Sequence, residues 1–209
     1  MPTLKIENRL RSAGYGCVAG VDEAGRGPLA GPVMAAAVVL PRGYKHRYLN
    51  DSKQLTEEAR EEIYAELRAD VRIVISFASA SVEEIDRLNI LRASHLAMER
   101  AVRGLLQPPD ICIIDGLPVR GFPWPHEAVV EGDCLSLSVA AASVIAKVER
   151  DRHMRTMAEE YPYYAFHTNK GYGTPLHLSL LRQHGPCPLH RRSFQPVAQL
   201  TLDFGVGFV

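Results

Sequence analysis

Apolar residues in this chain fall into short runs that charge interrupts. The cleanest of them, Ile111-Cys112-Ile113-Ile114, is closed on both sides by Asp110 and Asp115. Successive side chains of a strand point to opposite faces, so a run that is apolar at every position needs cover on both faces. That requirement selects a sheet lying between layers of helix. Residues 17–22 and 33–40 read as two further buried strands, joined by a Gly- and Pro-rich turn and close enough to pair as a hairpin. Residues 71–78 and 128–131 read as two more.

Helical patterns fill the intervals. Asn50-Asp51-Ser52 offers caps ahead of Leu55, Ala59, Ile63 and Leu67, which recur by fours on one face. Ser81-Val82-Glu83-Glu84 fits a capping box opening a helix that runs to Arg103 and stops at Gly104. Residues 136–160 read as a long helix with Pro162 beyond its end. The sum predicts an α/β fold with a mixed central β-sheet flanked by helices on both faces. At 209 residues, 46% hydrophobic and 23% charged, the chain suits one domain, 1–209, in which 165–209 forms a basic segment and a C-terminal tail.

No apolar run approaches the ~20 residues needed to span a bilayer, and Met1-Pro2-Thr3-Leu4-Lys5-Ile6-Glu7 lacks the apolar core of a secretion signal. Cys17, Cys112, Cys134 and Cys187 are scattered, with no Cys-x-x-Cys spacing, and fit reduced thiols of the cytoplasm; Cys17 and Cys112 read as inert core. Lys plus Arg and Asp plus Glu balance at 24 each. The distribution is uneven, however: residues 165–195 contain no acid but carry Lys170, Arg182, Arg191, Arg192, His167, His177, His184 and His190. That stripe reads equally as a solvated surface segment and as a phosphate-facing one.

Three apolar runs deliver a carboxylate at or just beyond an end: Asp22-Glu23, Asp115 and Asp133, each with Gly close by. Neighbouring strand ends of an open α/β sheet meet at a crevice, where such acids can converge. Two like charges about 4 Å apart repel by roughly 4 kcal/mol at an effective dielectric near 20, so an acid cluster holds protons or cations. Oxygen donors without clustered His or Cys favour Mg2+ or Mn2+ over Zn2+ and point to phosphoryl chemistry. Singly, each Asp-Gly pair reads as a turn or cap; three ends in one domain weaken that reading.

Gly25-Arg26-Gly27-Pro28-Leu29-Ala30 matches G-x-G-x-x-A, but Pro28, Gly31 and Pro32 oppose the helix a dinucleotide loop needs. It reads either as a tight turn or as a loop whose backbone N–H groups and Arg26 approach a ligand. His184, Cys187 and His190 lack the fourth ligand of a closed zinc site. Neither a G-x-S-x-G elbow nor a phosphate-binding G-x-x-x-x-G-K-[ST] loop occurs.

Taken together, Gly20-Val21-Asp22-Glu23-Ala24-Gly25-Arg26-Gly27-Pro28-Leu29-Ala30-Gly31-Pro32-Val33 resembles the opening signature of the ribonuclease HII family. Leu49-Asn50-Asp51-Ser52-Lys53-Gln54-Leu55, Ile114-Asp115-Gly116, Gly132-Asp133, the stretch 140–151, Lys170-Gly171-Tyr172-Gly173-Thr174 and His190-Arg191-Arg192-Ser193-Phe194 follow in the same order. The resemblance spans nearly the whole chain and implies a ribonuclease H-like fold. It also implies cleavage of the RNA strand of RNA-DNA hybrids and nicking 5′ of single ribonucleotides embedded in duplex DNA, with 3′-hydroxyl and 5′-phosphate products.

By the family's motif, Asp22, Glu23, Asp115 and Asp133 are the implied catalytic carboxylates of a two-metal hydrolysis. Asp22, Glu23 and Asp115 are the implied ligands of Mg2+ or Mn2+. Gly25, Arg26, Gly27 and Tyr172 are implied to read the RNA-to-DNA junction, where the 2′-hydroxyl is the chemical difference. Lys53, Lys170, Lys147, Arg191 and Arg192 are candidates for phosphate contact or for supporting the acids. Two positions depart from the pattern: Asn169 stands where many relatives have His, and Leu135 where a basic or polar residue is common.

The implied setting is a cytoplasmic monomer acting on nucleic acid, with no membrane. Gln199-Leu200-Thr201-Leu202-Asp203-Phe204 is similar to the motif by which bacterial replication proteins bind the sliding clamp; packing of Leu200, Leu202 and Phe204 on the domain is the alternative. The rival functions are another metal-dependent phosphodiesterase of this fold, a phosphatase with an Asp nucleophile, and a non-catalytic nucleic-acid binding module.

Overall fold

The computed structural model describes residues 1–203. One sheet holds β1 (Val18–Ala24), β2 (Val33–Val39), β3 (Val74–Ala80), β4 (Ile111–Asp115) and β5 (His126–Val129) in the order β3-β2-β1-β4-β5. The helices are α1 (Lys5–Ser12), α2 (Glu57–Ala69), α3 (Val82–Leu88), α4 (Ile90–Arg103), α5 (Gly132–Leu135), α6 (Leu137–Glu160), α7 (Phe166–Asn169), α8 (Pro175–His184) and α9 (Val197–Asp203).

The expected hairpin is present: β1 pairs antiparallel with β2, and β2 with β3. On its other edge β1 runs parallel to β4, with Val18 opposite Ile111 and Val21 opposite Ile114, so the next step along both strands brings Asp22 beside Asp115.

Both faces are covered, as the apolar strands require. On one, Ala36 and Val38 pack with Ala141, Val144 and Ile145 of α6 and Leu67 of α2. On the other, Ala19, Val21, Cys112 and Ile114 pack with Ala97 and Met98 of α4. The first half of α6 is buried on all sides, which explains a run from Leu137 to Ala146 with no charge and little amphipathic pattern. Its backbone lies so close to β1 that a Cβ on Gly20 would sit 2.1 Å from the carbonyl carbon of Ser138. A third cluster, including Leu29, Met154, Phe166, Leu181 and Val197, fastens α7, α8 and α9 to the far half of α6. Among the described residues no helix is long and apolar enough to cross a membrane.

Several boundaries differ from the sequence reading. The helix expected after Asn50-Asp51-Ser52 is capped by Thr56, whose hydroxyl accepts from the Ala59 N–H at 3.2 Å; Asp51 instead caps a single 3-10 turn, Ser52–Gln54. The helix expected over 81–103 is two helices, broken at Asn89, which adopts φ 70° and caps α4 with its side chain. The capping box at Ser81 and Glu84 is present.

The strand expected at 128–131 is β5, which starts earlier and ends at Val129. Asp133 therefore stands on α5 and not on a strand end. Cys112 is buried in β4, whereas Cys17 precedes β1 and is half-buried. Residues 165–195 do not form one solvent-facing stripe: Lys170, His177, His190 and Arg191 are buried, and Arg182, His167 and His184 are exposed. In the tail, Leu200 is half-buried against the third cluster, and Phe204 lies outside the described residues.

Candidate active site

The C-terminal ends of β1 and β4 and the start of α5 meet at one point, where carboxylate oxygens of Asp22, Asp115 and Asp133 lie within 4.8 Å of one another. Asp22 and Asp115 arrive as neighbours on adjacent parallel strands. Asp133 arrives by a turn: Glu131, at φ 57°, reverses the chain, and the Gly132 N–H donates to Asp115 Oδ1 at 2.7 Å. Glu23 lines the same cleft, and its Oε1 accepts from Arg26 Nη1 at 3.1 Å.

Burial, with the charges of Glu23 and Asp115 adding, pushes the Asp22 carboxyl well above the usual carboxylate range. This happens although the Glu23 N–H donates to it at 2.7 Å and the Ser143 hydroxyl also donates. Burial likewise raises Glu23 against the pull of Arg26. Asp133 is raised by burial, then by Asp115 and Asp51, against Lys53. Carboxyls held in this direction by each other and by lack of solvent are relieved by protons or by a cation. The oxygens of Asp22, Asp115 and Asp133 are close enough to share one ion and fit Mg2+ or Mn2+, with Glu23 of the implied ligands outside that trio. Asp51, Asp133 and Cys134 form an adjoining group at similar spacing, in which Asp51 Oδ1 already accepts the Lys53 N–H at 2.9 Å.

Gly25, Arg26, Gly27, Lys53, Lys147 and Tyr172 line the cleft beside the acids. Gly25 has φ 96°, and a Cβ there would lie 2.0 Å from Arg150 Nε, so glycine alone fits. The loop it opens is held from inside by two guanidiniums that are 0% exposed, Arg150 and Arg191. Arg191 donates to the carbonyls of Gly25 at 2.6 Å, Arg26 at 2.9 Å, Gly31 at 2.9 Å and Pro32 at 3.2 Å. Arg150 donates to those of Ala30, Pro32 and Lys170, each at 3.0 Å.

The Leu29 N–H donates to Gly171 O at 2.8 Å, which joins this loop to the one carrying Tyr172. The Tyr172 ring lies near Lys147 Nζ and Arg150 Cζ, 5.6 and 5.8 Å from its centroid, and the residue is 41% exposed.

Not every residue singled out from the sequence reaches the cleft. Lys53 does, with Nζ 3.4 Å from Asp133 Oδ2 and the side chain largely exposed. Lys170 does not line it; its ammonium is turned to His167 O at 2.5 Å. Arg191 is an internal strut, and the Arg192 N–H is fixed to Asp86 Oδ2 at 3.0 Å. The trio His184, Cys187 and His190 does not assemble: His184 stacks on Tyr163, while Cys187 and His190 are buried.

Sequence reasoning assigned no role to Ser143, whose hydroxyl lies 2.7 Å from that of Ser52 and which touches Asp22, nor to Arg150. For Ser143 the signal is a polar residue inside the apolar run 139–146; Arg150, set among Lys147, Glu149, Asp151 and Arg152, carries none.

A mixed five-stranded sheet under two helical layers, with acids gathered where its central parallel strands end, defines a ribonuclease H-like α/β protein. The family model for ribonuclease HII matches residues 19–197. A ribonuclease HII from Cereibacter sphaeroides (strain KD131) is 54% identical over 197 residues, 94% of this chain and 92% of the relative. The ribonuclease H2 structure from Pyrococcus horikoshii OT3 is 26% identical with TM-score 0.73, covering 91% of this chain and 100% of that one. The ribonuclease HII of a PCNA complex from Archaeoglobus fulgidus is 24% identical with TM-score 0.70, covering 86% and 95%. The chain belongs to the ribonuclease HII family, and it is an enzyme: a nuclease that hydrolyses nucleic acid as a ribonuclease H.

Proposed function

We propose that this enzyme cleaves the RNA strand of RNA-DNA hybrids and nicks duplex DNA 5′ of single embedded ribonucleotides, leaving 3′-hydroxyl and 5′-phosphate ends. The observation that carries this reading is the convergence of Asp22, Asp115 and Asp133 beside a glycine loop, Arg26 and Tyr172 in one cleft.

Asp22 and Asp115 from the sheet, Asp133 from α5 and Glu23 across the cleft would hold Mg2+ or Mn2+. Bound divalent ions supply the charge that activates water and stabilises the leaving 3′-oxygen. The chain's own groups place the substrate. Gly25 and Gly27 keep the loop free of side chains so that backbone groups approach the ribose 2′-hydroxyl, and Arg26 reaches the same edge from its anchor on Glu23. The exposed Tyr172 ring offers a flat apolar face to the following deoxyribose. Lys53 brings an exposed ammonium to the mouth, suited to a phosphate.

Under the same reading the enzyme works as a cytoplasmic monomer, and residues 199–204 contact a sliding clamp. The Archaeoglobus neighbour was solved with PCNA, and a pull-down comparing the full chain with one cut before Gln199 tests the clamp contact.

The test of the activity is a gel assay on duplex DNA carrying one ribonucleotide, with Mg2+, Mn2+ or chelator. Cuts 5′ of the ribonucleotide that need metal and fall about 10²–10³-fold in Asp115→Asn are expected. Equal cutting in chelator, or in Asp115→Asn, overturns the mechanism. Binding without cutting favours a binding module.

A further inference from the structure

His177 of α8 and His190 are 0% and 1% exposed, and no step above uses them. The hydrogen bonds through them run in a single direction. The Cys187 N–H donates to His190 Nδ1 at 3.0 Å, so that nitrogen is the acceptor and the proton of the neutral ring sits on Nε2. His190 Nε2 lies 3.0 Å from His177 Nε2 and donates to it, which leaves the His177 proton on Nδ1. His177 Nδ1 in turn donates to the main-chain carbonyl of Tyr172 at 2.8 Å. Cys187 Sγ, 3.1 Å from His190 Nδ1, faces the same lone pair.

Burial keeps both rings in the neutral form, His190 with its pKa lowered to about 3. Aromatic rings wall the pair: Tyr164 at 4.8 Å from His190, and Phe166 edge-on to His177 at 5.4 Å, centroid to centroid. The Tyr172 carbonyl also accepts the Thr174 N–H at 2.8 Å, and the Thr174 hydroxyl accepts the His177 N–H at 3.2 Å. The first turn of α8 thus grips Tyr172 from behind, while its ring faces the cleft.

We propose that His177 and His190 are positioning residues for Tyr172, two neutral histidines of fixed tautomer that set the height of its ring at the RNA-to-DNA junction of the substrate. The inference rests on the junction-reading role given to Tyr172 above. A duplex with one ribonucleotide presents a deoxyribose to that ring, whereas the interior of a continuous RNA-DNA hybrid presents another ribose. The relay therefore matters more for the first substrate than for the second.

The test measures kcat and KM with Mg2+ on both substrates for the full chain and its variants. His177→Phe keeps a ring but gives Tyr172 no donor. It is expected to lower kcat/KM on the single-ribonucleotide duplex about ten- to a hundredfold, the scale on which a displaced group fails, with a loss on the hybrid within about threefold. His177→Asn, whose amide nitrogen sits near the position of Nδ1, restores most of the loss. His177→Gln, whose amide matches Nε2, does not, and it serves if His177→Phe fails to fold. Tyr172→Ala combined with His177→Phe loses no more than Tyr172→Ala alone, because one residue acts through the other.

The ratio between substrates is independent of how much of a preparation is folded. Equal losses on both substrates, additive losses in the double variant, or unchanged kinetics in His177→Phe and His177→Gln each overturn the proposal. A Tyr172→Ala enzyme that keeps the native ratio overturns the role of Tyr172 itself, a different failure.

Discussion

At Asp22, activity and stability pull in opposite directions. Its buried carboxyl is pushed up by burial, Glu23 and Asp115. A carboxyl raised in the folded state stabilises the fold at low pH and loses that contribution as pH rises through the folded value. Asp22→Asn keeps an oxygen for the Glu23 N–H and removes the charge. In chelator at neutral pH it should be more stable than the native protein by about 1–2 kcal/mol, the usual range for such relief. Its melting temperature should rise by about 2–8 °C, Mg2+ should raise the midpoint of the native protein more than that of the variant, and cleavage should be lost. A variant no more stable than the native chain would mean that the carboxyls do not strain the fold.

The histidines give a second residue-level prediction. At neutral pH, a long-range proton-nitrogen spectrum should show His190 neutral with its proton on Nε2 and His177 neutral with its proton on Nδ1, because burial lowers both, and His190 should stay neutral at pH 5. The acids were legible in the sequence because a charge closing an apolar run stands out. His177, Arg150 and Arg191 were not, since a cation in a polar segment looks like surface until the fold shows which carbonyls surround it.

Among the elements, the capping box of α3 carries an ion pair that tunes acid stability. Arg100 of α4 grips Glu84 with two hydrogen bonds, 2.7 and 2.8 Å, and with the Ser81 N–H holds its carboxyl at about 2. A carboxyl lowered in this way stabilises the fold above its unfolded value, near 4.5, and that contribution is lost as pH falls toward 2. The native protein should therefore outlast Glu84→Gln at neutral pH and converge with it near pH 2, read from thermal midpoints.

The contact of β1 with α6 is stricter. Gly20→Ala would press a methyl onto the backbone of Ser138 and Val139, and a loss of about 3 kcal/mol or more is expected by denaturant titration. Strand positions were legible to within a few residues because apolar runs are blunt signals. The break at Asn89 was not, since the apolar spacing continues across it through Val82, Ile85, Ala93 and Ala97. Nor was α1, whose Glu7 is 0% exposed and accepts from Ser136 Oγ, Ser138 N–H and Ser138 Oγ at 2.6, 2.9 and 2.8 Å. That distant carboxylate completes the N-terminal cap of α6.

At the scale of the whole molecule, the third cluster couples the C-terminal helices to the substrate loops, because Leu29 belongs to it and its N–H is bonded to Gly171. Leu181→Ala, at a fully buried site, should cost about 2–5 kcal/mol and should increase hydrogen exchange at Leu29 and Gly31, residues far from it in the chain. The layered α/β plan was legible because strands apolar on both faces admit few other arrangements. The coupling was not, since it depends on which loop backbones end up within reach of Arg150 and Arg191.

The order of the strands also sets a timetable. β1 is made early and takes the centre of the sheet, yet its parallel partner begins at Ile111. At common rates of translation the interval lasts roughly 5–20 s. During it the growing chain can complete the β1-β2-β3 meander, but one side of β1 still presents bare N–H and C=O groups, a template for stray strands. A pause before β4 has emerged from the ribosome prolongs the exposure of an adhesive edge; once Asp115 is out, a single pairing event can seal that edge and bring Asp22 and Asp115 together.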